Sequence, residues 1–122
     1  MPYEYILANL LARTPGAVGV LFLDDGGETV DFACSEFSPY QMKVVGAYVG
    51  IYLRQLREFL GPVAGEPSIV HIQKESLHLY AMALPDGYCV VLAQRSPAVV
   101  ALAERELRDA AEQLRRELFE LA

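Results

Sequence analysis

A chain of 122 residues has no room for a second hydrophobic core, so residues 1–122 are read as a single domain. Hydrophobic residues at 53% exclude a disordered tail, and a net charge of −6 excludes the basic stripe that a grip on nucleic acid needs. The two cysteines, Cys34 and Cys89, are too few for a disulfide scaffold and lack zinc-site spacing, so they read as reduced core residues.

Residues 44–53 form the longest apolar run, about half of what a membrane span requires. Met1-Pro2-Tyr3-Glu4 has no basic start of the kind that opens a secretory signal. The expectation is a soluble, cytoplasmic protein with neither a membrane nor a nucleic acid as partner.

Punctuation divides the chain. Tyr5, Ile6, Leu7, Leu10 and Leu11 recur at helical spacing and stop before Thr14-Pro15-Gly16. Residues 17–23 are a continuous apolar run with Val18, Val20 and Phe22, the composition of a buried strand. Asp24-Asp25-Gly26-Gly27 supplies turn residues, and residues 29–34 follow as a strand in which Val30 and Phe32 share one face. Ser38-Pro39 reads as a helix N-cap with proline at the first helical position. The helical period then runs through Val45, Tyr48, Val49, Tyr52, Gln55, Leu56 and Leu60 and is expected to end at Gly61-Pro62.

Strands are expected over 68–73, 77–83 and 88–94, with turns at Lys74-Glu75-Ser76 and Pro85-Asp86-Gly87. Ser96-Pro97 reads as the start of a last helix reaching about Leu121, with Val100, Ala103, Leu107, Ala110, Leu114 and Leu118 on one stripe and charges on the others. Helix, two strands, helix, three strands, helix predicts an α/β (α+β) fold: one five-stranded antiparallel sheet covered by helices.

No catalytic constellation emerges, and the chain reads as a non-enzyme without cofactor. His71 and His78 lie on the two strands of the second hairpin and could face each other across it. Without an evident third ligand they read as strand residues and no metal is expected. Asp24, Asp25 and Asp31 match no calcium loop, and Gly26-Gly27 is followed by a strand where a phosphate loop needs a helix.

What stands out is surface. Gly46 and Gly50 sit four apart on the middle helix, each costing about 1 kcal/mol against alanine. Close approach of another backbone would compensate, and the far side of the helix is also apolar through Tyr48, Ile51 and Tyr52. A tight fit on its own sheet is the alternative; a second copy about a two-fold axis answers both features. The strand of Ser68, Ile69, Val70, His71 and Ile72 has no internal charge to deter edge pairing. The predicted dimer face is therefore Val45, Gly46, Val49, Gly50 and Tyr52 with Ile69, Val70, His71 and Ile72.

Leu10-Leu11, Pro15-Gly16-Ala17-Val18-Gly19, the strand closed by Asp24-Asp25-Gly26, the hairpin over 77–92 with Pro85-Asp86-Gly87, and the helix after Ser96-Pro97 together resemble the roadblock/dynein light-chain family over almost the whole chain. The resemblance implies strand order 2-1-5-4-3, with the long helix on one face and the N- and C-terminal helices on the other. It also implies pairing through the third strand and second helix. For function it implies a non-catalytic, homodimeric regulator or adaptor of small Ras-like GTPases, similar to prokaryotic regulators of the MglB type, activating or scaffolding by protein contacts. Tyr48, Arg54 and Arg57 are the candidate contacts to such a GTPase. The alternatives are a structural subunit of a larger complex and, from another class, a small-molecule sensor. The sensor is disfavoured because the strand interiors are almost wholly Val, Leu, Ile, Phe and Ala, with few polar groups to converge on a ligand.

Overall fold

The computed structural model describes residues 2–64 and 69–119; the side chains of residues 2, 53, 56, 57, 59–64 and 74 lie outside that description. The elements follow in the order α1 (Pro2–Arg13), β1 (Ala17–Leu23), β2 (Thr29–Cys34), α2 (Pro39–Ala64), β3 (Val70–Lys74), β4 (Leu77–Ala83), β5 (Cys89–Arg95) and α3 (Val100–Phe119). The strands form one antiparallel sheet in the order β2-β1-β5-β4-β3, as the resemblance implied. β1 and β5 are central and buried on both faces, which is why each reads as an unbroken apolar run.

Alternation sorts these runs into two cores. Val20, Phe22, Tyr80, Val90 and Leu92 point to the face covered by α1 and α3 and meet Ile6, Leu7, Leu10, Leu107 and Leu114. Leu21, Leu23, Ala81, Val91 and Ala93 point the other way and meet Met42 and Val49 of α2. Burying each such large side chain contributes about 1.5–3 kcal/mol.

Sequence and structure part at several points. Leu23 pairs with Thr29 while Phe22 pairs with Asp31, so Val30 is an extra residue in β2. This bulge turns Val30 toward the α1/α3 core while Phe32 packs on the α2 core, and the two do not share a face. Tyr5 lies on the outer side of α1, exposed, because Ile6, Leu7 and Leu10 already fill its inner stripe. α2 opens as expected: Gln41 N–H donates to Ser38 Oγ at 3.1 Å and Ser38 N–H to Gln41 Oε1 at 2.9 Å, a reciprocal cap. It does not stop at Gly61-Pro62 but runs to Ala64. A proline in the last turn of a helix forfeits a single helical bond.

α3 begins at Val100, four residues after Ser96. Ser96 caps no helix; its N–H donates to Ser76 O at 2.8 Å and its hydroxyl meets His78. The predicted strand over 68–73 is observed as Val70–Lys74, and Ser68 lies outside the described residues, as do Leu121 and its neighbours at the end of the chain. Cys89 is buried and Cys34 half-buried.

Candidate interaction surface

The Ser38–Gln41 cap fixes where α2 starts, and two small residues fix how closely it lies on the sheet. Met42 sits over Gly19 of β1, filling the space a Cβ would take. A turn later, a Cβ on Gly46 would come within 2.8 Å of Leu21 Cδ1 and 3.1 Å of Leu23 Cδ2. Gly46 is therefore spent on the chain's own sheet. It is not presented to a second helix, which corrects the argument for a glycine-mediated helix pair. Gly50 lies beside the β1–β2 turn, where a Cβ would stand 3.6 Å from Gly27 Cα. That turn is clamped by Asp24, whose Oδ1 accepts from the N–H groups of Gly26 and Glu28, both at 2.9 Å.

With Met42, Gly46 and Val49 inward, helical geometry sends Tyr40, Val44, Tyr48, Ile51 and Tyr52 outward. All five are exposed, Tyr40 at 75% and Tyr48 at 60%. α2 lies over β1, β2 and β5. The same face of β4 and β3 is left to a groove of about 380 Å³, lined by Val45, Tyr48, Tyr52, Ile72, Leu77 and Leu79. Among the described residues β3 ends the sheet, and no strand lies beside its outer row of N–H and C=O groups. A half-bare apolar sheet face, an apolar helix flank and an open strand edge thus run side by side.

The predicted residues divide on this surface. Val45, Val49, Tyr52 and Ile72 converge on the α2 side, with Val70 packed beneath them. Ile69 packs on the α1/α3 core, and His71 faces the same side, opposite Tyr80. Tyr48, expected on a partner-binding patch, stands in the groove with the predicted dimer residues. Arg54 is elsewhere, exposed at a cleft of about 30 Å³ beside Asp24, Asp25 and Gly27. The side chain of Arg57 lies outside the described residues. Sequence reading missed Leu77 and Leu79, whose alternation within β4 gave the signal: they face away from His78 and Tyr80.

Under the α1/α3 face a polar chain runs through the end of the sheet. The Tyr80 hydroxyl donates to Gln94 Oε1 at 2.8 Å, and Gln94 Nε2 donates to Pro15 O at 2.8 Å. Burial pushes the Tyr80 hydroxyl above the usual tyrosine range, and the Glu104 carboxylate adds to the shift. Among the described residues, no cluster of three or more His, Cys, Asp or Glu could hold a metal, and no helix is long and apolar enough to cross a membrane.

The fold is that of the Roadblock/LC7 domains, as three solved structures show. The Roadblock/LC7 domain from Streptomyces avermitilis superposes with a TM-score of 0.80 at 18% identity, covering 94% of this chain and 96% of its own. Myxococcus xanthus MglB gives 0.86 at 12% identity, with 98% and 96% covered. An MglB described in a tetrameric arrangement gives 0.82 at 19% identity, with 92% and 84% covered. No protein-family model matches the sequence, and no curated protein matches it.

Proposed function

We propose that the chain acts as a non-catalytic homodimer that regulates or scaffolds a small Ras-like GTPase. One observation carries the self-association: α2 covers only part of its sheet face, and the remainder, over β3 and β4, is an apolar groove beside an open strand edge. In a two-fold arrangement β3 pairs with its counterpart, and the second α2 lies beside the first over the uncovered strands. Tyr48 then belongs to the seam with Tyr52 and Ile72. The tetrameric arrangement of one MglB of the same fold supports association of this kind.

The GTPase partner is supported by the family resemblance and by the shared fold with MglB. Mechanistically, a surface of this kind works by docking on the switch regions and holding the GTPase's own catalytic groups in place, without supplying an arginine finger. Arg54, exposed near the β1–β2 turn, is the cation we assign to that contact.

Two measurements test the reading separately. Light scattering of the purified chain should return the mass of two chains, and Tyr48→Glu should return one; a monomeric wild type overturns the homodimer. Immobilised protein incubated with source-organism lysate should retain a small GTPase, identified by mass spectrometry, chiefly when a non-hydrolysable GTP analogue replaces GDP. Recovery of other proteins regardless of nucleotide would instead assign the chain to a structural complex.

A further inference from the structure

The β3–β4 hairpin carries a histidine pair that neither the fold nor the proposed adhesion uses. Its register places His71 opposite Tyr80 and Gln73 opposite His78, so the two histidines are diagonal neighbours on the α1/α3 face. His71 Nε2 stands 2.8 Å from His78 Nδ1. His78 is 5% exposed and its other nitrogen, Nε2, lies 3.0 Å from Ser96 Oγ. Ser96 is itself held by the bond from its N–H to Ser76 O. His71 lies flat on Tyr80, centroids 4.6 Å apart and planes within 7°, and His78 meets His71 edge to edge, centroids 5.1 Å apart and planes within 18°. Tyr80 beneath them is fully buried and anchored through Gln94.

We infer that His71 Nε2 and His78 Nδ1 form a two-imidazole site for a divalent transition-metal ion of the zinc type. A ligating histidine ordinarily has its second nitrogen held by a neighbouring polar group, which fixes the tautomer and turns the first nitrogen's lone pair to the ion. Ser96 does this for His78: with Nε2–H donated to Ser96 Oγ, Nδ1 presents its lone pair toward the edge strand. His71 contributes Nε2 once its proton resides on Nδ1. Only the hydrogen bond between the rings is broken, and no oxidant or reductant is needed. Zinc–nitrogen bonds of about 2.0–2.1 Å at a tetrahedral angle require the two nitrogens to part by about half an ångström and the rings to tilt out of their head-on alignment. In the single chain His71 has that freedom, being exposed, and in a strand-paired dimer its side chain still stands on the α1/α3 face, away from the α2 seam. Imidazole suits zinc, copper and nickel, whereas magnesium and calcium prefer oxygen. Among the described residues no third protein ligand joins the pair, so water completes the coordination.

Both ligands come from one chain, so the site does not require the homodimer. Calorimetric titration of the purified protein with zinc chloride should show saturable uptake of one ion per chain. His71→Ala, a change on an exposed edge residue, should weaken uptake at least tenfold, and Ser96→Ala should weaken it about 10- to 100-fold by freeing the His78 ring. In NMR spectra the imidazole signals of His71 and His78 should shift together on zinc addition. No uptake by the wild type, or uptake undiminished in His71→Ala, would overturn the site and leave the pair as a hydrogen bond between rings. Light scattering without added metal reports the oligomeric state separately.

Discussion

Among the described residues two helices lie side by side on one face of the sheet, and on the other there is only α2. The α1/α3 face is finished within the chain: Ala103, Leu107, Ala110, Ala111 and Leu114 of α3 are buried, while Arg105, Arg108, Asp109 and Arg116 turn to solvent. That division is what a helix needs when one side meets a sheet and the other meets water. α2 buries Met42, Gly46 and Val49 in the same way, but its opposite flank carries tyrosines, valine and isoleucine where α3 carries charges. The sheet beneath it is only partly covered. A helix with an apolar outer flank beside a bare strip of sheet is suited to further cover, and this asymmetry between faces is the structural root of the proposed self-association.

The greatest loss is expected on the finished face. Leu107→Ala should destabilise the fold by about 2–5 kcal/mol in chemical denaturation, the cost of a cavity in a close-packed core. A loss under 1 kcal/mol would mean that α3 is loosely seated.

The polar chain on that face makes a pH prediction. The folded chain holds the Tyr80 proton more tightly than an unfolded chain does, where tyrosine titrates near about 10. The stability tied to this is whole below about pH 10 and is lost as pH rises through the higher folded value. Tyr80→Phe should cost about 1–3 kcal/mol at neutral pH, by leaving buried Gln94 without its donor, and should flatten the decline above pH 10. An unchanged alkaline limb would detach that decline from Tyr80.

On the α2 face the two glycines separate. Gly46→Ala should destabilise by about 1–3 kcal/mol, because the new methyl meets Leu21 and Leu23 closely enough to move the helix. Gly50→Ala has ordinary contact distance and should stabilise by about 0.5–1 kcal/mol through helix propensity. Equal effects would refute the close seating of Gly46. The smallest change in fold stability, within about 0.5 kcal/mol, is expected for Tyr48→Glu, since Tyr48 is mostly solvated in the single chain. Its effect belongs to the association measured by light scattering.

Much of this architecture is legible in the sequence because its causes are local. Apolar runs at 17–23 and 88–94 mark strands, the heptad-like stripe of α3 marks a one-sided helix, and Ser38-Pro39 marks a cap. The elements and the apolar excess on α2 follow from period and composition alone. Tertiary structure decided what each shared feature was for. The Val30 bulge depends on pairing with β1, and α2 runs on past Gly61-Pro62 to Ala64. Ser96 is drawn away from capping by the hairpin beside it. Gly46 and Tyr48 are two positions apart in one apolar run, and nothing in that run says which faces the sheet. Only the seating of Met42 over Gly19 sets the helix rotation, sending Gly46 inward to Leu21 and Leu23 and Tyr48 outward to the groove. His71 and His78 likewise meet only through the hairpin register and the common support of Tyr80. Contacts between residues distant along the chain depend on how elements dock, and docking is fixed by close packing over the whole core rather than by any one segment.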